Sequence, residues 1–496
     1  MKPRQIKSQF EENRLSLIFA SLFFVFYAFL PKYRVGDGSE YILQYLSLTR
    51  HAVPWISPAA LSDYSNFITQ NSIQGLVPGD TLVNWFSDLS VGDTFDFPHF
   101  WFYSFLAALV FTFFFVVNIS LPLTLSFQIL HAVLFFVILR AANKFHGFYG
   151  QLAILSLYFL SPLLWYGNKI HTEFFTFILV GLSSIYVYNQ KFLAAFVTLS
   201  IASTQNISFS IIGLLVLAYF LSSNRRDISV ILKHKLTILI GFSIALLHPA
   251  YFLLRHSVVT PQLITGGVNR DFSYKNYYIW IFDPDVGLLP NWPLGILFIC
   301  YLLFNVVVKK SFNKKYLLFC FLFTIISLYA QNATTNLNSG ATPGPARYGL
   351  WYVGLFFPLM LSLIKTMKTL NSTSLLSVLL VFLMVSSLWS YTPRRLENYL
   401  TPSITSKIIQ TYIPELYSPS PEIFRERFSD FGEGVIPYIV VGPSCTKLLV
   451  TKHGDKNAVY APKDCKFSTE SLITFVNKRK STITDEEYIH FQKGSI

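Results

Sequence analysis

Charge is scarce in this chain. Only 13% of its 496 residues are Asp, Glu, Lys or Arg, against about a quarter in soluble domains. That shortage excludes an ordinary soluble globule. Hydrophobic residues make up 52%, and they fall in runs near the ~20 residues that cross a bilayer. The chain therefore reads as a polytopic membrane protein. The first apolar run, "LSLIFASLFFVFYAFL" (15–30), lacks a small-residue cleavage site and is followed by Pro31, Lys32 and Tyr33. It reads as a retained span, not a removed signal peptide. A basic patch is also lacking. The net charge is +13, but the lysines and arginines fall between apolar runs. That pattern argues against nucleic acid and makes them topology signals. No sustained repeat or low-complexity tract appears.

Spans are expected near 15–30, 120–139, 149–164, 173–188, 191–204, 207–222, 236–254, 292–308, 316–330, 348–364 and 374–391. Residues 99–119 are long enough to cross as well. If they lie instead as a juxtamembrane or re-entrant helix on the outer face, one side of the membrane collects the basic residues. These are Lys2, Arg4, Lys7, Arg14, Arg140, Lys144, Arg225, Arg226, Lys233, Lys235, Lys309, Lys310, Lys314, Lys315, Lys365 and Lys368. The positive-inside rule selects this arrangement. It has about eleven spans, the N-terminus inside and the C-terminus outside.

Four cysteines are present. Cys300 and Cys320 fall in spans, where a thiol is usually a small buried apolar group. Cys445 and Cys465 fall in the polar tail, which this topology places in an oxidising compartment, so a disulfide is expected there. The tail, 392–496, differs in composition from residues 1–391. A strand-like run "VIPYIVVG" (435–442) and an amphipathic stretch "TESLITFVNKRK" (469–480) predict a small α/β outer domain.

The unusual polar residues gather on the outer loops. The first, 31–98, carries Asp37 and Glu40 and ends in "DFPHF" with His99. The next, "SPLLWYGNKIHTEFF", brings Lys169, His171 and Glu173. "YYIWIFDPDVGLLPNWP" brings Asp283 and Asp285, and "NSGATPGPARYGLWY" brings Arg347 and Tyr348. Singly, each has a plain reading. Asp37 and the "DPDVG" run suit solvated turns, and Arg347 could snorkel to lipid phosphate. Together they supply a base, orienting donors and an anion clamp at span ends, where ionisable groups usually face a cavity. That inventory suits transfer of a sugar from a lipid phosphate. Arg347, with Lys169, would bind the phosphate. A carboxylate, Asp37 or Glu40, would deprotonate the acceptor hydroxyl. Trp165, Tyr166, Trp280 and Trp292 could stack on sugar faces or form an interfacial aromatic belt.

At "GDGSEY" after the first span, "FPHF", "SPLLWYGNKIHTEF", "DPDVGLLPNWP" and "RYGLWYVGLFFPLM", the sequence resembles the GT-C superfamily of polyprenyl-phosphate-sugar-dependent glycosyltransferases. The motifs cover residues 31–360. In length, long first outer loop and outer C-terminal domain it is similar to the phage-type glucosyltransferases that modify O-antigen and convert serotype. The resemblance puts Asp37 on the family's catalytic acidic position. Many relatives carry an adjacent acidic pair there. This chain has Gly38 beside Asp37 and places Glu40 three residues on. The resemblance implies an all-α GT-C-like membrane domain with outer juxtamembrane helices in a bacterial inner membrane. It implies inverting transfer of a sugar, glucose in that narrower group, to a surface polysaccharide. It also implies a polyprenyl-phosphate sugar as donor, with a donor-synthesising enzyme and a flippase as functional partners. No cofactor and no metal are expected. Two rival readings are a lipid-linked glycan flippase or transporter, which would carry ionisable groups near the midplane, and an O-antigen polymerase or ligase, which would place several arginines on outer loops.

Overall fold

A computed structural model of the protein describes residues 3–71, 73–266, 277–308, 312–334, 336–337, 344–369, 373–398, 400–431, 435–479, 486–492 and 496. Lys2, Lys309, Lys310, residues 338–343 of the Gly/Pro-rich run and Lys480 lie outside the described residues. The chain forms two compact units. The first comprises Met1–Phe272, Leu294–Thr335 and Leu350–Leu396; the second comprises Ser273–Pro293, Asn336–Gly349 and Glu397–Ile496.

The first unit is mostly helical. Its principal helices are α1 (Pro3–Ala28), α2 (Gly38–Leu46), α3 (Phe102–Val116), α4 (Leu123–Phe159), α5 (Thr172–Tyr188), α6 (Phe192–Ser203), α7 (Ser208–Ser223), α8 (Lys235–His256) and α9 (Lys314–Asn332). Helices Pro293–Leu303, Phe357–Thr369 and Thr373–Ser390 complete the apolar set. Each expected span thus falls on helix. Among the described residues, four segments are long and apolar enough to cross a membrane: Leu123–Phe159, Lys235–His256, Lys314–Asn332 and Arg347–Thr366. The other apolar helical stretches, such as Asn13–Ala28 within α1, run 10–17 residues. Gly147, at φ +60°, breaks α4 between the two spans expected at 120–139 and 149–164. Helix α5 is buried along almost its whole length. A helix apolar all round belongs at the centre of a bundle, and the His171–Glu173 segment sits at its N-terminal end. Cys320 is partly buried, whereas Cys300 lies on an exposed face. A short hairpin, β1 (Ser90–Val91) with β2 (Thr94–Phe95), lies just before the "FPHF" segment.

The second unit holds a four-stranded sheet: β3 (Pro437–Val441), β4 (Lys447–Thr451), β5 (Asp455–Tyr460) and β6 (Glu486–His490), in the order β5-β3-β4-β6. Strand β3 pairs antiparallel with β4 and parallel with β5, and β4 pairs antiparallel with β6. Both central strands are buried at every residue, as expected when both sheet faces are covered. Ile439, Val441, Leu448 and Val450 pack with Leu472 and Val476 of helix Thr469–Lys478. On the opposite face, Val440 and Leu449 pack with Phe424 and Phe428 of helix Pro421–Phe428. The period-2 alternation of a strand assigns the two sets. Cys445 and Cys465 form a disulfide beside the first set.

This unit also takes in loops 273–293 and 336–349, which the composition of the chain grouped with the membrane region. Buried hydrogen bonds are the physical reason. The Tyr417 hydroxyl donates to both oxygens of Asp283, at 2.9 and 2.8 Å. Asp285 Oδ1 accepts from the Ser403 amide at 2.7 Å and lies 3.7 Å from the Arg427 guanidinium. The Ala346 amide donates to the Val286 carbonyl at 2.8 Å. Burial pushes the Asp283 carboxyl up to about 6; donors from Val286, Tyr417 and Asp285 offset part of that rise. Burial also raises Asp285, against the pull of Arg427.

Two outcomes follow for the second unit. The disulfide closes a sequence separation of 20 residues, a constraint on the unfolded chain of about 3 kcal/mol. Cys445→Ser should therefore speed hydrogen exchange at β3 and β4 by about a hundredfold. Unchanged protection would show that the bridge does not stabilise the sheet. Asp283 titrates higher folded than unfolded. The stability it contributes is complete below pH 3.8 and is lost as pH rises through about 6. Thermal unfolding of the solubilised chain should show that loss, and Asp283→Asn should flatten it.

Candidate functional site

The "RVGDGSEY" stretch leaves α1 and turns at once into α2. Gly36 has φ +45°, a left-handed conformation that glycine adopts without steric cost. A Cβ on Gly38 would sit 3.3 Å from the Ile170 carbonyl, so glycine lets the 161–171 loop come close. Asp37 is the N-cap of α2, yet its side chain makes no capping hydrogen bond. Its carboxylate is therefore available to other partners. Glu40 lies in the first turn, three residues on and on the same side. The helix N-terminus favours both negative charges.

His99 joins the two. Its Nδ1 lies 2.7 Å from Glu40 Oε2, and its Nε2 lies 3.1 Å from Asp37 Oδ2. His171 approaches the same Asp37 oxygen through Nε2, at 3.5 Å. His171 Nδ1 faces Glu173 Oε2 and the Thr172 amide. Asp37 thus lies between two imidazoles, each backed by a glutamate. The Tyr41 ring meets both imidazoles edge-on, with centroids 5.7 and 5.8 Å away. Asp37 keeps 18% of its side chain exposed and His99 26%, whereas Glu40 keeps 6% and His171 and Glu173 almost none. Among the three carboxylates Asp37 is the one open to an incoming molecule.

Chemically, this is an acceptor backed by a proton relay. With both carboxylates ionised, each ring nitrogen of His99 faces an acceptor and can donate. Once Asp37 carries a proton, a neutral His99 with its Nδ1–H toward Glu40 can take that proton on Nε2 and pass the Nδ1 proton to Glu40. The ligand atoms of Asp37, Glu40 and His99 lie within 4.8 Å of one another and could also hold a metal ion. A cation there would replace the imidazole–carboxylate contacts.

Three glutamines fix the backbone around His99. The carbonyls of Pro98, His99 and Phe100 accept from Gln262 at 3.2 Å, Gln44 at 2.6 Å and Gln205 at 3.2 Å. Just upstream, buried Asp96 accepts from Tyr251 at 2.5 Å, Arg255 Nε at 2.7 Å and His256 Nε2 at 2.8 Å. The C-terminal turn of α8 therefore clamps the loop that carries His99. On the other side, His131 Nδ1 donates to the Gly167 carbonyl at 3.1 Å, and its Nε2 accepts from Tyr103 at 2.8 Å. Asn168 donates to the Pro31 carbonyl at 3.1 Å. These bonds brace the loop that ends in His171.

Of the residues singled out from the sequence, Asp37, Glu40, His99, His171 and Glu173 come together. Lys169 is fully buried. Its ammonium donates to the Pro393 carbonyl at 2.7 Å and lies over the rings of Trp165 and Tyr33. Trp165 and Tyr166 are buried as well. Asp283, Asp285, Arg347 and Tyr348 belong to the second unit. There Asp283 and Asp285 have the buried partners given above. The Arg347 guanidinium lies over the Tyr348 ring, 5.2 Å from its centroid, and that ring packs on Trp280. Sequence reasoning missed Asp96, the three glutamines and Arg34. The Arg34 Cγ lies 3.8 Å from a Cβ position on Gly38, and its Nε is buried without a hydrogen-bond partner among the described residues. The one available signal was the Asp of "DFPHF" itself.

Comparison with family models, with curated proteins and with solved structures finds no match to this chain.

The Asp96 clamp makes a stability prediction. Removing one partner of a buried, charged network costs about 3–5 kcal/mol. Asp96→Ala should lower the unfolding free energy of the detergent-solubilised protein by that amount. A loss below about 1 kcal/mol would mean the three donors find water and the clamp is not a structural tie.

Proposed function

We propose that the chain is a polytopic membrane glycosyltransferase of GT-C type. It transfers a sugar, glucose by the resemblance of its layout, from a polyprenyl phosphate to an acceptor hydroxyl on a surface polysaccharide. The observation that carries this reading is the placement of Asp37. It is a partly exposed carboxylate held between two Glu-backed imidazoles, on a short helix just after the first apolar helix.

Asp37 acts as general base. It takes the hydroxyl proton as the acceptor oxygen attacks the anomeric carbon, and the C–O bond to the phosphate breaks from the opposite face, inverting the configuration. His99 and Glu40 share the incoming proton. His171 and Glu173 hold Asp37 in line. The phosphate leaves already ionised and needs no general acid. Arg34, whose guanidinium matches phosphate oxygens in pairs, supplies positive charge on the Asp37 segment. No step in this scheme is routed through a metal.

The topology belongs to the same proposal: about eleven spans in a bacterial inner membrane, the N-terminus in the cytoplasm and the C-terminal unit in the periplasm. Helix α3 spans 15 residues, about 22 Å at 1.5 Å per residue, short of the ~30 Å hydrocarbon core. Several of the proposed spans are as short, so the distribution of basic residues is what assigns α3 a juxtamembrane position. A reporter fused after Ile496 should be active only outside the cytoplasm, and one at Lys310 only inside; an outer signal at Lys310 would overturn the topology.

Activity is tested in cells. Surface glycan from cells carrying the gene should show an added hexose by mass spectrometry. Cells without the gene, or with Asp37→Asn at equal expression, should lack it. Membranes from the same cells should keep transferring in excess chelator. An unchanged glycan would refute the reading, and loss in chelator would give the Asp37–Glu40–His99 cluster a metal.

A further inference from the structure

Far along the bundle from α2, the ends of four helices frame a groove. It is lined by Val187 of α5, Phe192 of α6, Ile212, Leu215, Val216 and Tyr219 of α7, and Lys315, Leu318, Phe319 and Leu322 of α9, and holds about 200 Å³. Val187, Ile212, Val216 and Phe319 are buried and form its floor; Leu215 and Leu318 are exposed and form its walls. The volume is below the ~300–1,000 Å³ of pockets for compact ligands. An apolar slot of that size suits a length of hydrocarbon chain.

Its rim is basic. Lys315 is exposed, and its ammonium lies 5.6 Å from the centre of the Tyr219 ring. Among the described residues no carboxylate pairs with it. The helix ends and the loops between them add exposed Lys191, Arg225, Arg226 and Lys314, against one exposed acid among the described residues there, Asp227, which accepts from Ser229. An apolar slot with a cationic mouth at helix ends matches an acyl chain with an anionic headgroup.

We infer that this groove binds one membrane phospholipid of anionic headgroup, its acyl chain along Ile212, Val216 and Phe319 and its phosphate at Lys315. The inference needs only that these helices lie in a membrane and stands apart from the transferase reading. On the proposed topology the site faces the cytoplasmic leaflet, opposite the Asp37 site. Anionic lipid is attracted there by a surface lysine at about a fivefold preference per residue.

The test is native mass spectrometry of the full chain released from bilayers of equimolar phosphatidylglycerol and phosphatidylethanolamine. The wild-type protein should retain phosphatidylglycerol in excess of the bulk ratio. Lys315→Gln, at an exposed position, should lower that excess about fivefold. Leu215→Trp, which fills the slot from its exposed wall, should remove the retained lipid. Lys407→Gln, on the second unit, should leave the ratio unchanged. Retention at the bulk ratio, or an excess that survives both Lys315→Gln and Leu215→Trp, would show only annular lipid and overturn the site.

Discussion

The site depends on one imidazole. His99 bridges Asp37 and Glu40, which belong to the N-terminus of α2, while His99 itself belongs to the loop before α3. The two segments are 59 residues apart in sequence, so the contact exists only where both are held rigidly. Most of the polar bonding in this region serves that end. Glutamines take three successive carbonyls around His99, the end of α8 grips Asp96, and glycines at 36 and 38 let the chain turn and the 161–171 loop approach.

Burying this much charge is costly. A carboxylate or imidazolium moved out of water loses several kcal/mol of solvation unless paired. The site meets that cost by pairing its carboxylates and imidazoles in sequence: Glu40 with His99, His99 and His171 with Asp37, Glu173 with His171. The backing glutamates are buried, and the central aspartate keeps some access to solvent. Such an order concentrates negative charge at one open oxygen-bearing group and gives an arriving proton a route inward. The same logic without an open member appears in the second unit. There Asp283 and Asp285 are closed in by Tyr417, Ser403 and Arg427, an arrangement suited to tying loops together.

Much of the helical architecture was legible in the sequence, because long apolar runs have few alternatives to helix. The break in α4 was legible, since polar residues around Lys144 interrupt the hydrophobic run close to the point where Gly147 turns the chain. The Asp37–Glu40 spacing and His99 were legible for a local reason: charges beside a glycine-rich turn stand out at a span end. Asp96 was not. Its partners lie some 160 residues later, and Arg255 and His256 look like ordinary basic residues in the last turn of a helix. Lys169 shows the converse. A lysine in a polar loop reads as a solvated cation, and only the folded chain reveals the carbonyl and the two rings that enclose it. "DPDVG" reads as a surface turn because the tyrosine that caps Asp283 comes 134 residues further on.

The most direct measurement of the central claim is turnover by the purified protein, with a polyprenyl-phosphate sugar as donor and a polysaccharide fragment as acceptor, comparing Asp37→Asn with Glu40→Gln. A positioned base contributes about 10²–10⁴-fold. Asp37→Asn should lose at least that factor while keeping the thermal stability of the parent, and Glu40→Gln should retain part of the rate, since His99 keeps a hydrogen-bond acceptor. Near-parental turnover in Asp37→Asn would contradict the account.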